Sequence, residues 1–284
     1  MEYEDIIAAN RAAWNETALI HAEAQLERLL QQVAQPGFST LDPVERDVFS
    51  ALGLQGKDVA QLCCNNGREL LSVKLAGARR CVGFDLSEAF LDQARKLVAA
   101  AGTELEFVRG DVLAIPERFN AAFGIVYVTV GALGWFPEVS GFFATAARLL
   151  RPQGVLFLYE MHPMLDMFDP GSGLEVRHSY FRREPYVNED EPDYLNPDKR
   201  VAAKSYWFHH TLSDIFGACL EHGLVIEHFA EYEHDVSAVY ASLADQERKP
   251  AMSYALVARR EHGASSASPG GLRVVRAPHA RRAV

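Results

Sequence analysis

The sequence predicts an α/β protein built on a doubly wound, mostly parallel sheet with helices on both faces. Three observations carry this reading. From residue 58 onward, short apolar runs alternate with segments of helical period, a β-α-β rhythm. The runs FGIVYVTV and GVLFLYEM are almost continuously apolar, as strands covered on both faces must be. Three successive runs each lead into a polar loop, and two of them end in aspartate, Asp85 and Asp111. Strand ends of this kind are where doubly wound sheets gather ligands.

The elements follow in order. The first 35 residues read as helical, with apolar Ile6, Ile7, Ala13 and Trp14, then Leu26, Leu29, Leu30 and Val33. Gln35, Pro36 and Gly37 end that segment. Asp42, Pro43 and Glu45 form a helix start: an N-cap carboxylate, a proline in the first turn and a capping-box glutamate. DVAQLC is a strand, and GRELLSVKLAG a helix stopped at Gly77. RRCVGFD is a strand, and SEAFLDQARKLVAAAG a helix capped by Ser87 and stopped by Gly102. LEFVRGD and FGIVYVTV are strands, Pro137 to Leu150 a helix, and GVLFLYEM a buried strand.

After Met161 the alternation stops until about residue 208, in a stretch rich in Pro, Asp, Glu, Tyr and Arg. A segment that long is either disordered or a lid or binding insertion. Its aromatics Tyr180, Phe181, Tyr186 and Tyr194 argue against disorder, which is usually aromatic-poor. The helix TLSDIFGACLEHG and the strands LVIEHFAEY and MSYALVARR complete the pattern. The expected organisation is a helical N-terminal cap over 1–40 and a main domain over 41–260 that contains the insertion 161–208. The small, polar, basic tail 261–284 is expected to be disordered.

Composition narrows the function. The net charge of −10 argues against sequence-independent binding to nucleic acid or anionic membrane, both of which need clustered Lys and Arg. The longest nearly apolar run, GIVYVTVGALGWF, is shorter than the roughly 20 residues that span a bilayer. Cys63, Cys64, Cys81 and Cys219 form no CxxC pair and no metal-ligand spacing, so no metal is expected and the compartment reads as reducing. The N-terminal MEYEDIIAAN is acidic where a signal peptide is basic and then apolar, and a cytoplasmic location is expected.

The stretch VAQLCCNNGREL joins the first strand of the alternating pattern to its helix. Gly67 opens that helix, whose N-terminus offers oriented N–H groups to an anionic ligand group. Asp85 ends the next strand, where a carboxylate holds ribose hydroxyls in dinucleotide folds. A nicotinamide dinucleotide fits less well, because Asn65 stands where a pyrophosphate needs glycine.

On these residues the chain resembles the class I S-adenosylmethionine-dependent methyltransferases, over roughly residues 40–160 and more weakly over 205–260. The resemblance implies a seven-stranded Rossmann-like sheet and S-adenosyl-L-methionine as cofactor. The family's acid and glycine loop falls on QLCCNNG: Gln61 stands at the acid, Cys63 and Asn65 at the first two glycines, and Gly67 at the third. Asp85, with Leu86 beside it, matches the ribose acid, and Asp111 with Val112 the pair that reads adenine. Tyr127 and Thr129, ending the fourth strand, are expected near the cofactor's amino-acid end; Trp14 and Asn10 could close over it as a helical cap, or Trp14 could simply anchor that helix. NRAAWNETALIHAE, TVGALGW and EMHPMLDMFD resemble a bacterial branch acting on small molecules, with this altered loop.

Methyl transfer needs the nucleophile held in line with the sulfur–carbon bond, and a base only when the nucleophile carries a proton of high pKa. His162, directly after the fifth strand, and His209 or its neighbour His210 are the candidate bases; His162 could instead bond a nearby backbone carbonyl, and one of the paired histidines could cap or pack. Tyr180 and Tyr206, with Tyr186 and Trp207, could set ring faces against the sulfonium or seal the insertion onto the sheet. The function implied is methyl transfer to nitrogen or oxygen of a small-molecule partner. The resemblance leaves two alternatives: a cyclase converting the cofactor to azetidine-2-carboxylate and methylthioadenosine, and a non-catalytic binding module.

Overall fold

In a computed structural model of the chain, which describes residues 1–237 and 239–261, helix α1 (Tyr3–His21) runs through a π-helical turn (Ala22–Leu26) into α2 (Glu27–Val33). The apolar pattern of the first 35 residues is therefore one helical rod, with Ile6, Ala13, Leu29 and Val33 buried along it. Helix α3 (Pro43–Leu52) starts on the expected capping box. Asp42 Oδ1 accepts from the Glu45 N–H at 2.9 Å, and Glu45 Oε2 accepts from the Asp42 N–H at 2.8 Å.

The alternating region gives β1 (Asp58–Leu62), α4 (Arg68–Leu75), β2 (Arg80–Asp85), α5 (Glu88–Ala100), β3 (Glu106–Arg109), β4 (Phe123–Val128), α6 (Val139–Leu149) and β5 (Leu150–Met161). The insertion carries a 3₁₀ turn (Pro163–Met167) and four short strands: β6 (Tyr186–Asn188), β7 (Glu191–Pro192), β8 (Arg200–Val201) and β9 (Ser205–Trp207). Then follow α7 (Leu212–Glu221), β10 (Leu224–Tyr232), α8 (Ala241–Ala244) and β11 (Ser253–Arg260). Of the tail expected to be disordered, residues 262–284 lie outside the described residues.

Seven strands form one sheet in the order β10-β11-β5-β4-β1-β2-β3. Only β11 runs against the rest, pairing antiparallel with both β5 and β10. This is the mostly parallel, doubly wound, Rossmann-like sheet that the alternation and the resemblance predict. One face packs Phe142 and Phe143 of α6 and Ile215 of α7 onto Val126, Leu156 and Leu256. The other packs Phe49 of α3 and Leu70 and Val73 of α4 onto Val59, Tyr127 and Phe157. Strand order reverses between β1 and β4, which opens a crevice above their C-terminal ends.

The insertion departs from its expected lack of regular structure. It folds as two antiparallel ribbons, β6 with β9 and β7 with β8. Strands of two or three residues are too short to display a period of two, so pattern reading passes over them. No helix among the described residues is long and apolar enough to cross a membrane.

Candidate active site

A cavity of about 760 Å³ lies above the C-terminal ends of β1 to β4, bounded by the sheet edge, α1 and the insertion. That volume falls within the range of small-molecule sites.

The loop after β1 forms its floor. Cys63, Asn65 and Gly67 all take left-handed backbone, with φ of 54°, 50° and 68°. The chain thus keeps the backbone course that glycines would make easy while carrying side chains at two of the positions. Asparagine tolerates this region better than other non-glycine residues. The strained course is tied down: Asp85 Oδ2 accepts from the Asn65 N–H at 2.7 Å, and the Cys64 N–H donates to the Phe84 carbonyl at 3.0 Å. Gly67 does not line the cavity. A Cβ there would lie 2.9 Å from the Phe107 ring, so glycine serves helix-to-sheet packing at that position.

Asp85 and Asp111 meet on the cavity wall, with Leu86 and Val112 beside them. Each Asp85 oxygen accepts one backbone N–H, from Asn65 and from Ser87 at 2.9 Å. Burial nevertheless pushes its carboxyl up to about 6. Asp111 Oδ1 accepts from the Leu113 N–H at 2.9 Å and the Tyr3 hydroxyl at 3.1 Å, tying the start of α1 to the end of β3. Thr129 also lines the cavity, and its Oγ1 accepts from Gln61 Nε2 at 3.3 Å. Gln61 Oε1 is buried with no protein partner among the described residues. Trp14 lies edge-on to Phe90 and to Trp135, whose centroids are 5.8 and 5.1 Å away, and Trp135 lies edge-on to Trp207 at 5.0 Å.

The cap helix and the insertion are fastened together over this floor. Asn10 Oδ1 accepts from the Tyr206 N–H at 2.8 Å, and its amide donates to the Tyr206 carbonyl at 3.2 Å. Glu16 accepts the N–H groups of Ala202 and Ala203, both at 2.9 Å. His21 Nε2 meets Asp193 Oδ2 at 3.0 Å, with both side chains buried. Sequence reading missed Glu16, His21 and Asp193, because partners so far apart in the chain leave no local signal.

Besides Gly67, five expected site residues do not reach the cavity. His162 Nδ1 accepts from the Met164 N–H at 3.1 Å, and Nε2 stands 2.9 Å from Glu231. It caps the 3₁₀ turn and borders a separate void of about 30 Å³. His209 is buried behind the cavity wall, with Nδ1 3.0 Å from Asp166 Oδ2. The Tyr180 hydroxyl accepts from the Leu212 N–H at 3.0 Å, and its ring lies edge-on to His209. Tyr206 contributes backbone to Asn10, and its side chain is not part of the lining. Tyr127 points into the opposite layer, bonded to Glu45 and packed on Phe49 and Phe157. In each case nearness along the chain gave the right element but not the direction of the side chain. Tyr186 and Trp207 do line the cavity.

Two residues with no motif hold the segment after β4 in place. Glu160, at the end of β5, is 3% exposed. Its carboxylate accepts four backbone N–H groups: Ala132 and Leu133 on Oε1 at 2.6 and 3.1 Å, Gly131 and Met161 on Oε2 at 2.8 and 3.0 Å. Gly134 lies under Trp207, and a Cβ there would run into the indole. Gly134→Ala should therefore displace Trp207 and cost about 1–3 kcal/mol by overpacking. Chemical denaturation together with a shift in tryptophan emission checks this.

Burial also pushes Glu160 and Glu45 up to about 7. Folded values above the unfolded ones mean that this stabilisation is present at low pH and is lost as pH rises through 7. Burial lowers His21, His162 and His210, which act in the opposite sense, but only below the unfolded imidazole value of about 6.5. The melting temperature should therefore fall from pH 6.5 to 8, and Glu45→Gln should flatten that slope. A melting temperature that rises over this interval would contradict the assignment.

A family model described as a methyltransferase domain matches residues 59–154. That segment runs from β1 into β5 and includes the Cys63–Gly67 loop, Asp85 and Asp111. The structure of an S-adenosylmethionine-dependent methyltransferase from Mesorhizobium loti aligns with a TM-score of 0.53 at 20% identity, over 75% of this chain and 96% of that one. One from Methanosarcina mazei aligns with a TM-score of 0.59 at 13% identity, over 78% and 99%. No curated protein matches the chain. The chain carries a methyltransferase domain in the class I S-adenosylmethionine-dependent fold.

Proposed function

We propose that the protein transfers the methyl group of S-adenosylmethionine to nitrogen or oxygen of a small molecule. The observation that carries this is the division of one cavity into two differently built halves. The loops after β1 to β4 supply backbone groups and the carboxylates Asp85 and Asp111; α1 and the insertion supply an aromatic, roofed remainder. A roofed volume of this size suits a small acceptor better than a macromolecule.

The residues present fit the cofactor. Asp85 would accept ribose hydroxyls, and Asp111 with Val112 would border the adenine. Thr129, whose Oγ1 accepts from the buried Gln61 amide, and the backbone of Cys63 and Asn65 would meet the amino-acid end. When bound, the cofactor supplies an electrophilic methyl on a positively charged sulfur. The chain's own contribution is positioning: α1 and the insertion exclude water, and the series Trp14, Trp135 and Trp207 offers ring faces to a cation.

Calorimetry with S-adenosylhomocysteine should give a micromolar-range Kd, about −8 kcal/mol. Absence of heat on folded protein would remove the reading. Incubated with S-adenosylmethionine alone, the protein should release negligible methylthioadenosine, because positioning of a second reactant supplies most of the rate. Multiple turnovers to methylthioadenosine without an acceptor would replace methyl transfer by cyclisation.

A further inference from the structure

The acceptor half of the cavity has a one-sided charge. Among the described residues that line the cavity, there is no lysine, and the only arginine, Arg68, belongs to the cofactor floor and is held by Glu69 at 2.6 Å. The insertion adds Asp166, Asp169, Glu191 and Asp193 to the lining and no Lys or Arg. Three of these already meet histidines: Asp193 meets His21, Asp169 meets His178 at 2.7 Å, and Asp166 meets His209 at 3.0 Å.

What sets Asp166 apart is its aromatic surroundings. Its side chain is 12% exposed, and its close donors are His209 Nδ1 at 3.0 Å and Trp207 Nε1 at 3.3 and 3.4 Å. Aromatic groups surround it. The Tyr186 hydroxyl donates to the Asp166 carbonyl at 2.7 Å, and Trp207, Tyr186, Tyr240 and Phe168 line the cavity with it. Burial and then the Asp166 charge push the Tyr186 phenol up to about 12, so that hydroxyl stays a donor. A carboxylate set among ring faces is the chemistry that recognises an organic ammonium group. An acceptor with a carboxylate or phosphate at this end would meet like charge and no guanidinium or ammonium.

Resting on the methyl-transfer reading above, we propose that the acceptor is a primary or secondary amine with an apolar body, whose nitrogen is held by Asp166 among the rings of Trp207, Tyr186 and Tyr240. The bound ammonium first gives a proton to water, and the neutral amine is the nucleophile: its lone pair forms the new nitrogen–carbon bond as the sulfur–carbon bond breaks with its electron pair on sulfur. The positive charge passes from sulfur to nitrogen, and the methylated ammonium later gives a proton to water. Asp166 therefore gains attraction as the reaction proceeds, which is the condition for lowering a barrier rather than merely tightening binding. A product-like pair, neutral thioether and charged amine, should be the state this wall holds best.

Binding tests this without knowledge of the natural acceptor. Full-length protein saturated with S-adenosylhomocysteine is titrated at pH 7.5 with 2-phenylethylamine, 2-phenylethanol and phenylacetate, which share a ring and differ at the head group. The amine should bind at least tenfold more tightly than the alcohol, and phenylacetate most weakly. Asp166→Asn should abolish the amine's advantage while leaving S-adenosylhomocysteine affinity within about twofold, because it removes charge and keeps shape. Equal binding of amine and alcohol, tighter binding of phenylacetate, no binding of any of the three, or an undiminished preference in the variant would each overturn the proposal. The wild-type ranking alone decides the acceptor class if the variant does not fold. Failure of S-adenosylhomocysteine itself to bind would instead overturn the underlying methyl-transfer reading.

Discussion

Replacing Glu160 with alanine should destabilise the protein by about 3–5 kcal/mol, the usual cost of removing one side of a buried, hydrogen-bonded charge. Four backbone N–H groups lose their acceptor at once, on Gly131, Ala132, Leu133 and Met161. Each orphaned buried donor costs about 1–3 kcal/mol. The total stays below the sum because Gly131 borders the cavity, where water can reach it. Glu160→Gln should fall between the wild type and alanine. Its carbonyl can keep the two bonds at one oxygen position, but its amide then faces two donors at the other. Urea denaturation should show both losses, and the alanine variant should melt roughly 6–10 °C lower. A change below about 1 kcal/mol would mean that the segment after β4 does not depend on this carboxylate.

Glu160 also marks the limit of what the sequence tells. In GVLFLYEM it reads as the polar end of an apolar strand and nothing more. Its importance comes from the backbone of residues 131–133 curling onto it, and that course is set by tertiary packing. Asp85 and Asp111 were legible for the opposite reason. A strand pattern followed by an acid places the carboxylate at the sheet edge whatever the neighbours do. The same local logic located the α3 capping box, the Ser87 cap of α5 and the strands of the sheet.

Residues chosen by position after a strand fared worse. His162 and Tyr127 sit on the expected strands or directly after them, yet a single step in side-chain alternation decides between cavity and core. Tyr127 falls on the core side, under Phe49. The insertion was legible as a separate, aromatic-rich segment, but not the identity of the residues that it brings to the cavity. Asp166, Asp193 and Tyr240 acquire partners only when α1, the two ribbons and the segment before α8 meet. Cys63 and Asn65 lie between these cases. Their left-handed backbone could be anticipated from the glycine positions they occupy, whereas the Asp85 bond that holds the course could not.

On the proposed reading, that bond and the ribose make Asp85 the position where a substitution should cost the most cofactor affinity. Asp85→Ala should weaken S-adenosylhomocysteine binding by about 1.5–3 kcal/mol, roughly 10–150-fold, the loss expected for hydrogen bonds to a charged group. Two contributions are combined in that number: the ribose contacts, and the Asn65 N–H that loses its anchor and lets the strained loop relax. The pH dependence separates them. Burial holds the wild-type carboxyl at about 6, and in the proposed complex ribose hydroxyls would donate to its ionised form. Binding therefore favours deprotonation, so affinity should rise from pH 5 to 7 and then level off, approaching tenfold per pH unit on the acid side. Asp85→Asn keeps the side chain's shape but has no proton to lose, so its affinity should be low and flat over the same interval. Calorimetry of wild type and both variants at pH 5, 6 and 7 supplies the test, with the melting temperature of the ligand-free proteins reporting the loop's share. If wild-type affinity is unchanged from pH 5 to 7, Asp85 does not carry the ribose, and its carboxylate serves only to hold Asn65 and Ser87 in place.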